Sequence, residues 1–195
     1  MWPAPIELNG THAALRPLAQ EHHDGLVDAV RDGDLWRLWY TSIPTPERMA
    51  AEIERRLGLQ ASCSMLPFTV FDAADRIVGM TTYMNTDAVN RRVEIGSTWT
   101  ARSAQRSPLN TECKSMLLAL AFERLDCIAV EFRTHRLNTQ SRRAIERLGA
   151  QLDGILRCHS RAADGTLRDT AVYSITAAEW PAVKSHLTWQ LAKAR

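Results

Sequence analysis

The polar run Gln105-Arg106-Ser107-Pro108-Leu109-Asn110 lies between a strand-like stretch, Val93–Thr100, and a helix-like one, Thr111–Asp126. Backbone N–H groups at a helix start lack intrahelical partners and carry partial positive charge, so this position suits a phosphate or another anion. Asn110 fits the cap of that helix, and Pro108 removes one donor from the loop. A second polar group opens the next helix, Asn138–Leu148. There Asn138 stands at the cap and Ser141 in the first turn, with Arg142, Arg143 and Arg147 on the polar side. Those arginines suit either a solvated face or an anion. Alternation along Val93–Thr100 turns Glu94 away from Val93 and Ile95.

The elements that position these groups follow from periodicity. Cys113, Met116, Leu117 and Leu120 recur at helical spacing and form a buried stripe. Ile128–Thr134 reads as a strand, and Leu148-Gly149-Ala150 closes the following helix with a C′ glycine. Upstream, Ile6–Leu8 and Ala13–Pro17 read as short extended pieces around the turn dipeptide Asn9-Gly10. Leu18–Arg31 reads as a helix. A second helix, Glu47–Leu59, has Pro46 in its first turn, Met49, Ile53 and Leu57 on one stripe, and Glu52 and Arg56 opposite at i,i+4. Leu66–Asp72 and Arg76–Met84 read as a strand pair, with Gly79 marking a bulge or close backbone approach. Asn85–Asn90 reads as a polar connection. Gln151–His159 and Leu167–Ile175 form a hairpin around Ala163-Asp164-Gly165. Thr176 and Glu179 make a capping box before a terminal helix, Ala177–Lys193.

Composition excludes several classes. The 195 residues are 45% hydrophobic and 24% charged, with net charge +2, as for a globular chain with a real core and a single domain over 1–195. That charge is too small and too dispersed for nucleic acid to be expected as a partner. No apolar run has the length to span a bilayer, and the first residues lack a signal-peptide pattern, so no membrane partner is expected. Cys63, Cys113, Cys127 and Cys158 have no C-x-x-C spacing, so no metal is expected, and idle thiols suit a reducing cytoplasm.

The order of these motifs resembles the GNAT acetyltransferase superfamily. Val93-Glu94-Ile95-Gly96 stands at its central strand, and Gln105–Asn110 fits the frame of its acyl-CoA loop, Q/R-x-x-G-x-G/A. Asn110-Thr111-Glu112-Cys113-Lys114, Asn138-x-x-Ser141-Arg142-x-Ala144-Ile145, Asp164-Gly165-x-x-Arg168-Asp169-Thr170 and Glu179-Trp180-Pro181 resemble its ribosomal-protein N-terminal acetyltransferase branch. The sequence departs from the loop pattern in having Pro108 and Asn110 where glycine and glycine or alanine are usual.

The resemblance implies an α/β (α+β) GNAT fold: a central mixed, mostly antiparallel sheet of about seven strands, flanked by helices, with a V-shaped splay between two central parallel strands. It implies acyl transfer from acetyl-CoA, without a metal, directly onto a primary amine of a small molecule or a protein N-terminus. A catalytically weak acyl-CoA sensor of the same fold is the alternative. Cofactor contacts then fall on Ile95, Gly96, Ser97 and Thr98 of the strand. They continue on Gln105, Arg106, Ser107, Leu109, Asn110 and Thr111 of the loop, and on Asn138, Ser141, Arg142 and Arg143. Glu94 is the expected general base, and Ser141 the expected acid beside the departing sulfur, where many members have a tyrosine. Trp36, Trp39, Tyr40 and Glu94 face the acceptor, and the exposed sheet ends with the C-terminal helix suit a homodimer.

Overall fold

The computed structural model describes residues 2–162 and 164–193; Ala163 of the expected turn lies outside them. Eight strands form one sheet in the order β1-β2-β3-β4-β5-β6-β8-β7. They are β1 (Leu8–Asn9), β2 (Ala13–Pro17), β3 (Met65–Asp72), β4 (Ile77–Asp87), β5 (Arg92–Thr100), β6 (Ala129–His135), β7 (Gln151–Arg161) and β8 (Leu167–Thr176). The helices are α1 (His23–Arg31), α2 (Met49–Ala61), α3 (Leu109–Ala119), α4 (Thr139–Arg147) and α5 (Trp180–Ala192). This is the expected mixed architecture with one strand more than the seven expected. The first strand is shorter than expected and lies at Leu8–Asn9, paired with Leu15 and Ala14.

Every neighbouring pair is antiparallel except β5 and β6. That parallel ladder runs from Arg92↔Ala129 through Val93↔Val130 to Glu94↔Glu131. β5 continues to Thr100 and β6 to His135, yet no pair follows Glu94↔Glu131, so the strands part there. The unpaired edge of β5 lines the resulting splay.

A bulge shapes the same edge. Between Met80↔Trp99 and Thr82↔Gly96, β5 holds one residue more than β4. Ser97 absorbs it at φ 46°. The bulge brings Thr98 Oγ1 to 2.8 Å from Thr81 Oγ1. Gly79 on β4 is a close approach, as expected: a Cβ there would lie 2.1 Å from the Trp99 carbonyl oxygen. Gly79→Ala therefore forces β4 from β5, and thermal denaturation should show a loss of about 1–3 kcal/mol, the usual cost of overpacking.

Several local readings change against the structure. Asn85–Asn90 is not wholly a connection: β4 runs on to Asp87, because Asn85 adopts φ 46° and the strand bulges instead of stopping. The helix expected over Thr111–Asp126 is α3 followed by one π turn, Leu120–Arg124. Phe122 in that turn stacks on Trp180 of α5 at 5.4 Å, and Glu123 accepts from the Trp180 indole at 2.9 Å. Only half of the Thr176–Glu179 box forms: the Glu179 carboxylate accepts from the Thr176 N–H and hydroxyl at 2.8 Å each, but the Glu179 N–H turns to the Thr176 carbonyl at 3.1 Å, and α5 starts at Trp180 with Glu179 at its cap. Arg56 does not lie on a solvated side. It is 2% exposed, 2.7 Å from Glu52, and donates to Thr82 Oγ1 at 2.6 Å. The spacing of the pair is legible in the chain; the β4 strand under α2 is not.

Candidate active site

Glu94 occupies the last rung before β5 and β6 part. Val93 and Ile95 point into the core at 1% and 3% exposure, so alternation places Glu94 on the opposite face. Glu94 is itself 6% exposed. Its Oε2 accepts from Asn85 Nδ2 at 2.7 Å and lies 3.5 Å from Arg133 Nε. Burial raises its pKa above the ordinary carboxylate value, while the Asn85 hydrogen bond and Arg133 oppose that rise. A Cβ at Gly96 would stand 3.0 Å from Glu94 Oε1, so the glycine leaves room beside that oxygen. Glu131, its rung partner, is held by Arg92 and, at 3.0 Å, by Arg133. A groove of about 460 Å³ runs beside them, lined by Arg92, Glu131, Arg133, Asp153 and Ser174 among others.

The expected anion loop lies between the end of β5 at Thr100 and the start of α3 at Leu109. Gln105 braces it, its Nε2 donating to the Thr100 carbonyl at 3.0 Å. Arg106 adopts φ 58°. Ser107 Oγ donates to the Ala104 carbonyl at 2.7 Å and accepts from Leu109 N–H at 3.3 Å. Asn110 is not the cap. Pro108, with φ −62° and ψ −23°, is already helical in shape, so α3 starts at Leu109 and Asn110 lies in its first turn. The Pro108 carbonyl accepts the first intrahelical bond, from Glu112 N–H at 3.0 Å. The N–H groups of Asn110 and Thr111 precede that bond and have no partner within the helix, as anion binding requires. A cleft of about 390 Å³ flanks this start, lined by Ser103, Ser107, Pro108, His12 and Arg76 among others.

Spacing does not single out Lys114, and it is the most unusual group nearby. It is 5% exposed, donates to Thr81 Oγ1 at 2.8 Å and Thr98 Oγ1 at 2.7 Å, and has no ion-pair partner among the described residues. Burial pushes its pKa down from 10.5 to about 8. The folded chain thus binds fewer protons than the unfolded one between those values, and stability rises with pH across that window. Thr98, which Lys114 supports, is exposed on the splay edge. In sequence the lysine sits beside the apolar stripe of α3 and reads as an ordinary helix residue.

On α4, Asn138 caps the helix as expected, its Oδ1 accepting from Ser141 N–H at 3.0 Å. Ser141 is half-buried in the first turn. Arg142 donates to the Tyr173 hydroxyl at 2.8 Å, and that hydroxyl donates to Glu146 at 2.7 Å. Arg143 is exposed, and Arg147 reaches Thr111 Oγ1 in the first turn of α3 at 3.4 Å.

The aromatic segment divides. Trp36 packs against the core. Trp39 is 63% exposed, with its ring 5.1 Å from His135 and 5.6 Å from Tyr40 in edge-on contacts. His135, at the end of β6, accepts from Leu137 N–H on Nδ1 at 3.0 Å, and burial with Arg168 and Arg136 lowers its pKa. Burial disfavours the thiolate of both buried cysteines, pushing Cys113 up to about 12 and Cys127 to about 11.

Comparison with known proteins bears directly on this frame. Residues 12–151 match the acetyltransferase (GNAT) domain family. Curated proteins give no match. A solved GCN5-related N-acetyltransferase from Brucella melitensis is 31% identical, covering 97% of this chain and 87% of its own, with a TM-score of 0.87. A structure described as an acetyltransferase from T. thermophilus is 32% identical over 98% of this chain and 100% of its own, TM-score 0.85. Mycobacterium smegmatis RimJ, solved with CoA-disulfide, shares the fold at 23% identity, covering 97% of this chain and 95% of its own, TM-score 0.79. A family match across most of the sequence and structural likeness along nearly all of it lead to one assignment: this acetyltransferase belongs to the GNAT family.

Proposed function

We propose that this enzyme transfers an acyl group, acetyl in the first instance, from acyl-CoA directly onto a primary amine of a small molecule or a protein N-terminus. The observation that carries this reading is Glu94, a buried carboxylate of raised pKa at the point where β5 loses its parallel partner. The CoA-disulfide bound to the RimJ relative supports a CoA site in this fold. The RimL relative, described as a ribosomal L7/L12 α-N-protein acetyltransferase, supports an N-terminal amine among the acceptors to be tested.

In this reading the N–H groups of Asn110 and Thr111, at the positive end of α3, receive the pyrophosphate beside Arg106, on a loop that Gln105, Ser107 and Leu109 hold in shape by their own hydrogen bonds. Pro108 then costs little, because a helix start has no use for its missing N–H. The Ile95–Thr98 edge and Asn138 hold the pantetheine arm, and Arg142 and Arg143 border the nucleotide. Trp39 and Tyr40 wall the acceptor side. The acceptor nitrogen forms a C–N bond to the acyl carbon as the C–S bond breaks. Glu94 takes the amine proton, directly or through one water. The departing thiolate takes up a proton, with the Ser141 hydroxyl and the N-terminus of α4 stabilising its charge. The reading also assigns the protein to the cytoplasm as a homodimer, joined through the exposed sheet ends and the C-terminal helix, where Trp189 is exposed.

The test is CoA release from acetyl-CoA, followed with a thiol reagent across a panel of amines and peptide N-termini. CoA should appear in equal amount to acylated amine. Tight acetyl-CoA binding with no release for any amine would contradict transfer and favour the sensor reading.

Lys114 adds a pH signature. Phosphates bound at the start of α3, the helix that carries Lys114, favour its charged ammonium, so acyl-CoA binding takes up a proton as the pH passes about 8. Affinity measured by calorimetry should weaken above that pH, and the trend should vanish in Lys114→Met.

A further inference from the structure

Among the described residues, Arg168 is a cation whose side chain makes neither a hydrogen bond nor a close ion pair. The rungs Glu94↔Glu131 and Glu131↔Ser174 put those three residues on one face of the sheet, and two-residue steps along β8 from Ser174 bring Arg168 to the same face. Its Nε is buried and makes no hydrogen bond, and no ion pair forms to it among the described residues. The other arginines nearby are committed: Arg92 and Arg133 to Glu131, Arg136 and Arg157 to Asp169. Glu94 is close enough to act on Arg168 electrostatically, but its Oε2 is already held by Asn85 and Arg133.

A guanidinium carries five donors in a planar fork; Arg168 is half-buried, and its Nε–H is taken out of water without an acceptor, which is costly. Such a cost persists where a ligand completes the set, and a carboxylate matches the fork. Arg168 is close enough to His135 to lower its pKa, and exposed Trp39, which the acyl-transfer reading puts on the acceptor side, stands against that histidine.

We propose that Arg168 receives a carboxylate carried by one of the two substrates, so that this enzyme either acylates a carboxylate-bearing amine or transfers an acidic acyl chain. The proposal rests on the acyl-transfer reading above. A specificity-determining contact of this kind, with the charge-assisted hydrogen bonds it makes, corresponds to roughly 10- to 100-fold in kcat/KM.

The experiment compares two arms in wild type, Arg168→Gln and Arg168→Lys. In one arm, amino acids are matched with their amides as acceptors for acetyl-CoA. In the other, acetyl-CoA is matched with succinyl-CoA on one neutral amine. The carboxylate-bearing substrate should win by at least tenfold in one arm. That preference should collapse in Arg168→Gln and recover in part in Arg168→Lys, and the arm in which this happens identifies the source of the carboxylate. Turnover without preference in either arm overturns the proposal, as does a preference that survives Arg168→Gln. Should that variant fail to fold, the wild-type preference and Arg168→Lys decide. No turnover with any pair contradicts the acyl-transfer reading itself, and the carboxylate assignment falls with it.

Discussion

Glu94→Gln should lower kcat by roughly 100-fold or more, the scale on which general base catalysis contributes. Gln keeps the volume and one acceptor oxygen, so Asn85 retains its partner, but it removes the basic site. KM for acetyl-CoA should change little, because the N–H groups proposed to hold its phosphates belong to the start of α3 and not to β5. In wild type, kcat/KM should rise with pH through an apparent pKa above the ordinary carboxylate range, since burial raises that of Glu94. The Gln variant should lose that limb. Stability gives the opposite sign. A carboxyl whose pKa is raised by folding is disfavoured when ionised, so it weakens the folded state as pH rises through that pKa. Glu94→Gln should therefore keep or raise Tm at neutral pH. A fall in kcat of less than about threefold, or one matched by a fall in Tm, would count against the base role.

Glu112→Ala should be the most destabilising single change near the site. Glu112 lies in the first turn of α3, and its carboxylate accepts from the N–H groups of Thr11, His12 and Ala13 at 2.9, 2.5 and 2.8 Å. Gly10 makes this clasp possible, since a Cβ there would lie 2.5 Å from the carboxylate carbon. Hydrogen bonds to a charged group contribute about 1.5–3 kcal/mol each, and water would replace part of what is lost. The expected net cost is about 3 kcal/mol, or roughly 6–12 °C in Tm. The clasp joins the turn before β2 to the helix that offers Asn110 and Thr111, so acetyl-CoA affinity should fall with it. A shift under about 2 °C would show that the clasp is dispensable.

Periodicity makes most of this frame legible. The β5, α3, β6, α4 order follows from apolar spacing within the chain, and Asn138 and the Thr176–Glu179 box follow from cap chemistry that acts over three or four residues. Contacts between distant elements are not legible. Asn85 reads as a loop residue, yet its φ of 46° and the β4–β5 pairing deliver it to Glu94. Arg56 reads as a charge opposite the apolar stripe of its helix and Lys114 only as part of a motif, yet both are buried where the sheet beneath them presents threonine hydroxyls. Arg168 stands in the sequence only as part of a motif; its isolation emerges once the other charges nearby are seen to be paired. Pro108 reads as a defect in a glycine pattern, but its fixed φ starts α3 two residues earlier than expected.

The most direct test of the central claim is mass spectrometry of the reaction with isotopically labelled acetyl-CoA, recording intact protein and acceptor together. Direct transfer to an amine predicts label on the acceptor nitrogen, an equal amount of free CoA, and protein of unchanged mass at every time. A labelled acyl-enzyme, or CoA released with no labelled amine, would contradict it.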